Sequence, residues 1–147
     1  MRIAIGSDHG GYVLKKPVIE AIREMNLEYV DYGTYSEESC DYPDIARKVA
    51  KAVVKGEADK GILLCGTGIG ICIAANKIKG IRCGNITDAF SAKMAAEHND
   101  ANIISMGGRL IDEKLAKEIT MAYLSSKFAG GRHKRRIDKI NEIENNN

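Results

Sequence analysis

Short apolar runs alternate with longer amphipathic ones along this chain. Arg2–Ser7 reads as a strand, and the polar loop Asp8-His9-Gly10-Gly11 follows it. Leu14, Val18, Ile22 and Met25 then recur at helical spacing and form one stripe. Pro17 lies inside that stripe, which predicts a helix that starts late or kinks there. Leu27–Tyr32 is a second strand, and the polar, acidic stretch Gly33–Pro43 a loop. Asp44 is placed to cap a helix that turns Ile45, Val49 and Val53 toward a core. Gly61–Cys65 is the third strand. A helix from about Gly70 to Lys79 follows, with Gly80 as its stop. Ile81–Ile86 reads as a strand, then Thr87 or Asp88 caps a helix to about His98. Asn102–Met106 is the fifth strand and Gly107-Gly108 its turn. Asp112 caps a helix carrying Leu115, Ile119 and Ala122. Ala129-Gly130-Gly131 breaks the pattern before a last helix, Arg132 to about Glu144, with the stripe Ile137, Ile140 and Ile143.

Strands that alternate with helices predict an α/β fold, a parallel sheet with helices on both faces. Residues 1–147 read as one domain, without repeats or low-complexity stretches. In open α/β sheets, ligands bind beyond the C-terminal ends of the strands. Asp8 and His9, Cys65 and Thr67, and Gly107–Arg109 all fall at such ends. One sheet edge therefore gathers polar residues that are far apart in sequence.

Composition narrows the function. No Trp and 5% aromatic residues leave little surface on which nucleic-acid bases could stack. The net charge of +2, from 22 Lys+Arg and 20 Asp+Glu, gives no global field for nucleic acid or a membrane. No apolar stretch has membrane-spanning length, and the first strand begins too early to leave room for a signal peptide. The four cysteines, 40, 65, 72 and 83, form no CxxC pair and no zinc-like spacing. Reduced thiols in a cytoplasmic protein with no metal site are the expectation.

The segment with most chemistry is Cys65-Gly66-Thr67-Gly68-Ile69-Gly70. It delivers a thiol from a strand into a glycine-rich turn that leads into a helix. Such a turn can point successive N–H groups into one concavity suited to an anion or a developing oxyanion. Those groups and the helix N-terminus favour a thiolate. Taken alone, the segment also fits a structural cysteine in a common turn. A dinucleotide fingerprint is absent: Asp8 stands where Gly6-Ser7-Asp8-His9-Gly10-Gly11 would need its second glycine, and the later turn lacks the third. Arg132 and Arg136, four apart on a helix, could grip one phosphate, or they could belong to a solvated basic face with His133, Lys134 and Arg135. His98 sits at a helix end, where it could simply cap, and His9 directly follows a strand.

Together these segments resemble the ribose-5-phosphate isomerase B family. The matching pieces are Gly6-Ser7-Asp8-His9 with Gly11, Asp41-Tyr42-Pro43, and Cys65 to Gly70 with Ile73-Ala74-Ala75-Asn76-Lys77. Gly80-Ile81-Arg82, His98-Asn99-Asp100, Gly107-Gly108-Arg109, and Gly130-Gly131-Arg132-His133 with Arg136 complete the set, in family order and spacing. The resemblance implies a three-layer, Rossmann-like α/β/α sandwich with strand order 2-1-3-5-4. It implies interconversion of ribose 5-phosphate and ribulose 5-phosphate without a cofactor or metal. Cys65 would be the base moving a proton between C2 and C1. Backbone N–H groups of Gly66, Gly68, Ile69 and Gly70 would bind the enediolate oxygen. Thr67 and Asp8 would steer protons between the sugar oxygens, and His98 would assist ring opening. Asn99 would hold sugar hydroxyls, Tyr42 would line the pocket, and His9, Arg109, Arg132 and Arg136 would hold the phosphate. The resemblance also implies a homodimer with shared sites. His98, Asn99 and Arg109 would come from one subunit and the remainder from the other. The last helix, 132–147, fits that arrangement, because its stripe is narrow for a core helix and suits a neighbouring subunit. Competing readings are an isomerase of a six-carbon aldose phosphate such as allose or galactose 6-phosphate, a non-catalytic phosphosugar-binding module, and a cysteine hydrolase.

Overall fold

The computed structural model describes residues Met1–Asn147. Strands β1 (Arg2–Ser7), β2 (Glu28–Asp31), β3 (Lys60–Cys65), β4 (Cys83–Asn85) and β5 (Ile103–Gly107) form one sheet in the order β2-β1-β3-β5-β4. Every pairing is parallel, as the sequence pattern and the resemblance together lead one to expect. Helices α1 (Lys15–Glu24), α2 (Tyr42–Val54), α3 (Ile69–Asn76), α4 (Ala89–Glu97) and α5 (Glu113–Ser125) cover the two faces, and α6 (Arg132–Asn145) ends the chain.

The central strands are apolar on both faces because both faces are covered. Ile3, Ile5, Ile62, Leu64, Ile104 and Met106 pack with residues of α1, α4 and α5. The residues between them, Ala4, Leu63, Cys65 and Ile103, pack with α2 and α3. The two-residue side-chain period of a strand thus puts Cys65 on the α2–α3 side.

Three expectations about element ends need correction. Helix α2 begins at Tyr42 with Asp41, not Asp44, as its N-cap residue, because Pro43 fits the first turn, where no N–H is needed. Helix α3 ends at Asn76 rather than Lys79. The Asn76 side chain reaches across to β4, accepting from the Cys83 N–H at 2.8 Å and donating to its carbonyl at 2.9 Å. Strand β4 spans only Cys83–Asn85, since it is an edge strand paired with β5 alone. Of the two outcomes expected at Pro17, a late start or a kink, the late start is the one found. A 3₁₀ turn, Tyr12–Leu14, precedes the helix and leaves the proline in its first turn.

Two edges of the sheet matter for function. Ser7 pairs with Leu64, and Cys65 with Gly107, so β1, β3 and β5 end side by side. At the opposite edge α4 ends and β5 begins, and α6 runs along it. The Ala129 N–H donates to the Glu97 carbonyl at 2.9 Å, and the Gly80 N–H to the Glu144 carboxylate at 3.0 Å. Ile137 is buried against the body of the chain, but Ile140 and Ile143 are 44% and 65% exposed.

Candidate active site

Where β1, β3 and β5 end, a cleft of about 450 Å³ opens. Asp8, His9, Tyr42, Cys65, Thr67 and Arg109 line it, with Gly10, Gly66, Ile69 and Gly70. The turn after Cys65 is tight because it returns to its own thiol: the Gly68 N–H donates to Sγ of Cys65 at 3.1 Å. That return needs Gly68 at φ +80°, a left-handed conformation that a side chain resists. The Gly68 carbonyl is held from beneath by the buried Ser105 hydroxyl, which donates to it at 2.8 Å. In a trans peptide the C=O and the following N–H point in opposite directions. Anchoring that carbonyl inward therefore aims the Ile69 N–H outward, where Thr67 Oγ1 lies 3.2 Å away.

Two glycines of the turn admit neighbours that a side chain would displace. A Cβ on Gly66 would lie 2.8 Å from the Arg109 guanidinium, and one on Gly70 would lie 2.7 Å from the Tyr42 ring. Arg109 and Tyr42 thus flank the cradle directly. Asp8 is 6% exposed, and its Oδ1 accepts from the Gly11 N–H at 3.0 Å, which fixes the carboxylate at the cleft floor. His9 Nδ1 accepts from the Cys40 N–H at 3.2 Å. That bond leaves Nε2 as the donor of the neutral ring.

Not every anticipated residue is here. Gly68 does not line the cleft. Its N–H is committed to Cys65 and its carbonyl to Ser105. His98 is the C-cap of α4 and stacks on His133 at the opposite edge of the sheet. Asn99 lines a separate hollow there with Ile81, Arg82 and Ile143. Arg132 and Arg136 sit on the first turns of α6 and are exposed. A strand of six residues, such as β3, spans about 20 Å, so the two groups cannot meet within one chain. The division also differs from the one the resemblance implies. Arg109 lies with Cys65, while Arg132 and Arg136 lie with His98.

Sequence reasoning missed Gly10, Ser105 and His133. Ser105 carried a signal, as a lone hydroxyl inside the apolar run Ile103-Ile104-Ser105-Met106. His133 was visible only as part of a basic run. Its pKa is pushed below the ordinary histidine value, first by burial and then by His98, Arg132 and Arg136. No three His, Cys, Asp or Glu side chains cluster as metal ligands, and no helix is long and apolar enough to cross a membrane.

A strand-borne thiol in a glycine cradle, flanked by an arginine and set in a parallel sheet, places a candidate base beside anion-binding groups in one cleft. Residues 3–140 match the family model described as Ribose/Galactose Isomerase. The ribose-5-phosphate isomerase B of Escherichia coli is 46% identical over 143 residues, 97% of this chain and 96% of that one. The solved ribose-5-phosphate isomerase B of Clostridium thermocellum superposes with a TM-score of 0.96 at 50% identity and covers 99% of both chains. A D-erythrulose-4-phosphate isomerase of Pectobacterium atrosepticum is 41% identical over 145 residues, 98% of this chain and 95% of that one. The chain belongs to the ribose/galactose isomerase family.

Proposed function

We propose that the protein interconverts ribose 5-phosphate and ribulose 5-phosphate, with Cys65 as the base. The observation that carries the reading is the Gly68 N–H on the Cys65 sulfur, inside a cleft rimmed by backbone donors and Arg109. The thiolate removes the C2 proton of the open-chain aldose, and the electron pair moves onto the carbonyl oxygen at C1. The enediolate oxygen is met by N–H groups of the turn. Each such donor contributes about 3 kcal/mol when it acts only on the developing charge. Thr67 and Asp8 move a proton between the two oxygens, and Cys65 returns one to C1. Atoms balance, and no oxidant or metal is required.

The remaining residues act from a partner. A two-fold dimer that lays the α6 edge of one chain over the cleft of the other brings His98, Asn99, Arg132 and Arg136 to Cys65. His98 then assists ring opening, and the two arginines join His9 and Arg109 on the phosphate. Helix α3 supports this placement. It is apolar all round, and Ile69 and Ile73 beside the cradle are 52% and 56% exposed. A helix apolar on every face is a buried one, and here only another chain can bury it. All four cysteines are free, which suits the reducing cytoplasm.

The test is a coupled isomerase assay with chelator present, comparing four-, five- and six-carbon aldose phosphates. Highest kcat/KM for ribose 5-phosphate is expected. A preference for allose 6-phosphate or for a tetrose phosphate would reassign the substrate, and strict dependence on a divalent ion would overturn the thiol mechanism.

A further inference from the structure

His133 is the one residue in the first turn of α6 that points inward. The residue is 8% exposed, whereas Arg132, Lys134, Arg135 and Arg136 around it are exposed. It lies flat on the His98 ring, with centroids 4.0 Å apart and planes 13° apart. The contact is anchored on both sides by backbone. The His98 N–H donates to the Met94 carbonyl at 2.8 Å, and the Ala129 N–H to the carbonyl of the residue before His98, Glu97, at 2.9 Å. The His98 ring itself makes no hydrogen bond within the chain, so the stack is what fixes its plane.

The plane matters for the step assigned to His98 above, and the inference rests on that reading. In ring opening the C1–O4 bond breaks, the anomeric hydroxyl gives its proton to an imidazole nitrogen, and the ring oxygen receives one. Nothing is oxidised or reduced. The nitrogen has to face first one oxygen and then its neighbour, and a misplaced donor loses rate steeply. The stacked partner must also stay uncharged while His98 carries a proton, because two imidazoliums in contact repel. Burial, His98, Arg132 and Arg136 all favour the uncharged form of His133.

We propose that His133 is a positioning residue for ring opening: its buried ring is the plate that sets the plane of His98. The plate belongs to the helical turn that carries Arg132 and Arg136. Docking of the phosphate and the aim of the proton-transfer group are therefore set by a single element.

The test compares the wild type, His133→Ala, His133→Phe and His98→Asn on two reactions. Turnover of ribose 5-phosphate, mostly a furanose in solution, requires ring opening. Exchange of the C1 proton of ribulose 5-phosphate with deuterated water does not, because its phosphorylated C5 oxygen cannot close a furanose. His133→Ala should lower aldose turnover by about tenfold or more and leave the exchange within about twofold. His133→Phe, which keeps a flat ring, should recover most of the loss. With three histidines in the chain, ¹³C-histidine NMR resolves the His98 ring directly, and its signal should move in the alanine variant. Equal loss in both reactions, no loss in either, or failure of the phenylalanine variant to recover would overturn the proposal. An unmoved His98 signal would refute the stack itself. If His98→Asn shows no aldose-selective loss while the His98 signal still moves in His133→Ala, the ring-opening reading of His98 falls, and the proposal falls with it.

Discussion

Gly68→Ala is the sharpest probe of the cradle. At φ +80° an alanine pays about 1–2 kcal/mol for the left-handed conformation. The added Cβ would also lie 2.3 Å from Asn85 Oδ1 and 2.9 Å from the Met106 carbonyl carbon. The Asn85 amide can rotate, although that sacrifices its 3.2 Å contact with the Ser105 hydroxyl. The Met106 backbone cannot move, because it sits inside β5. The turn must therefore lift outward by several tenths of an ångström. Its N–H lies 3.1 Å from Sγ of Cys65, and the lift carries it toward the limit of a useful bond. Loss of a donor on the sulfur, which acts on the base rather than on the developing oxyanion, should lower kcat by about 10- to 100-fold with a smaller change in KM. Gly56→Ala is the control. Gly56 has φ +75° but nothing within 4 Å of an added Cβ, so it isolates the conformational cost. Both variants should lose stability in urea titrations, Gly68→Ala more, and only Gly68→Ala should lose turnover. A folded Gly68→Ala enzyme with kcat within about threefold of wild type would refute the cradle as a source of rate.

Cys65→Ala should lower kcat by at least about 100-fold while phosphosugar affinity, read by calorimetry, stays within a few-fold. Retention of a tenth of the activity would exclude Cys65 as the base. Arg136→Ala should weaken substrate binding by about ten- to a hundredfold, and Arg135→Ala far less, because Arg136, like Arg132, lies close enough to His133 to act on its charge and Arg135 does not. Equal, small effects in titrations of the two variants would return the run to a solvated basic face. Mixing inactive Cys65→Ala and His98→Asn subunits under exchange should restore roughly a quarter of wild-type activity, since about half the dimers are mixed and half of their sites are intact. No recovery despite proven exchange would sink the shared site. Asp31→Asn should destabilise the fold by about 3 kcal/mol, because it strips the partner from a Lys15 ammonium whose side chain is 7% exposed. A melting temperature lowered by roughly 6–12 °C is expected, and an unchanged one would show that the Thr34 carbonyl, to which the ammonium also donates, and the Tyr12 and Tyr35 rings beside it suffice for Lys15.

The central strands were legible because burial on both faces makes them largely apolar runs, Ser105 in β5 excepted, that end in glycine or polar residues. Element ends were less so. Asn76 closes α3 by bonding to β4 across a loop, a tertiary event with no local signature. Pro43 shifted the start of α2 because its missing N–H is harmless in a first turn. The cleft itself could be assembled from strand ends alone, and Asp8, His9, Cys65, Thr67 and Arg109 do meet there. The far half could be named but not placed by resemblance. A helix that follows a parallel strand runs back against it, so the end of α4 must lie at the edge opposite Cys65. That rule puts His98 away from the cleft, and only the packing of α6 adds Arg132 and Arg136 to it. The His98–His133 stack joins residues 35 apart on separate elements, and no periodicity announces it.

Dividing the groups between opposite edges has a mechanical consequence in the proposed dimer. Helix α3 begins at Ile69, immediately after the turn that holds Cys65, and its outward residues Ile69 and Ile73 are the ones left exposed. Burying an aliphatic side chain of that size contributes about 1.5–3 kcal/mol when complete. Association would therefore clamp the helix whose first N–H groups form the cradle. It would also exclude water from the cleft mouth, where fixed dipoles act more strongly on a developing charge. An isolated chain would hold the thiol in place but leave the cradle wet and its helix loosely held. In the proposed dimer a partner would therefore do more than supply the missing histidine and arginines. Even the half-site that one chain carries would depend on a second chain to become a low-dielectric site for an enediolate.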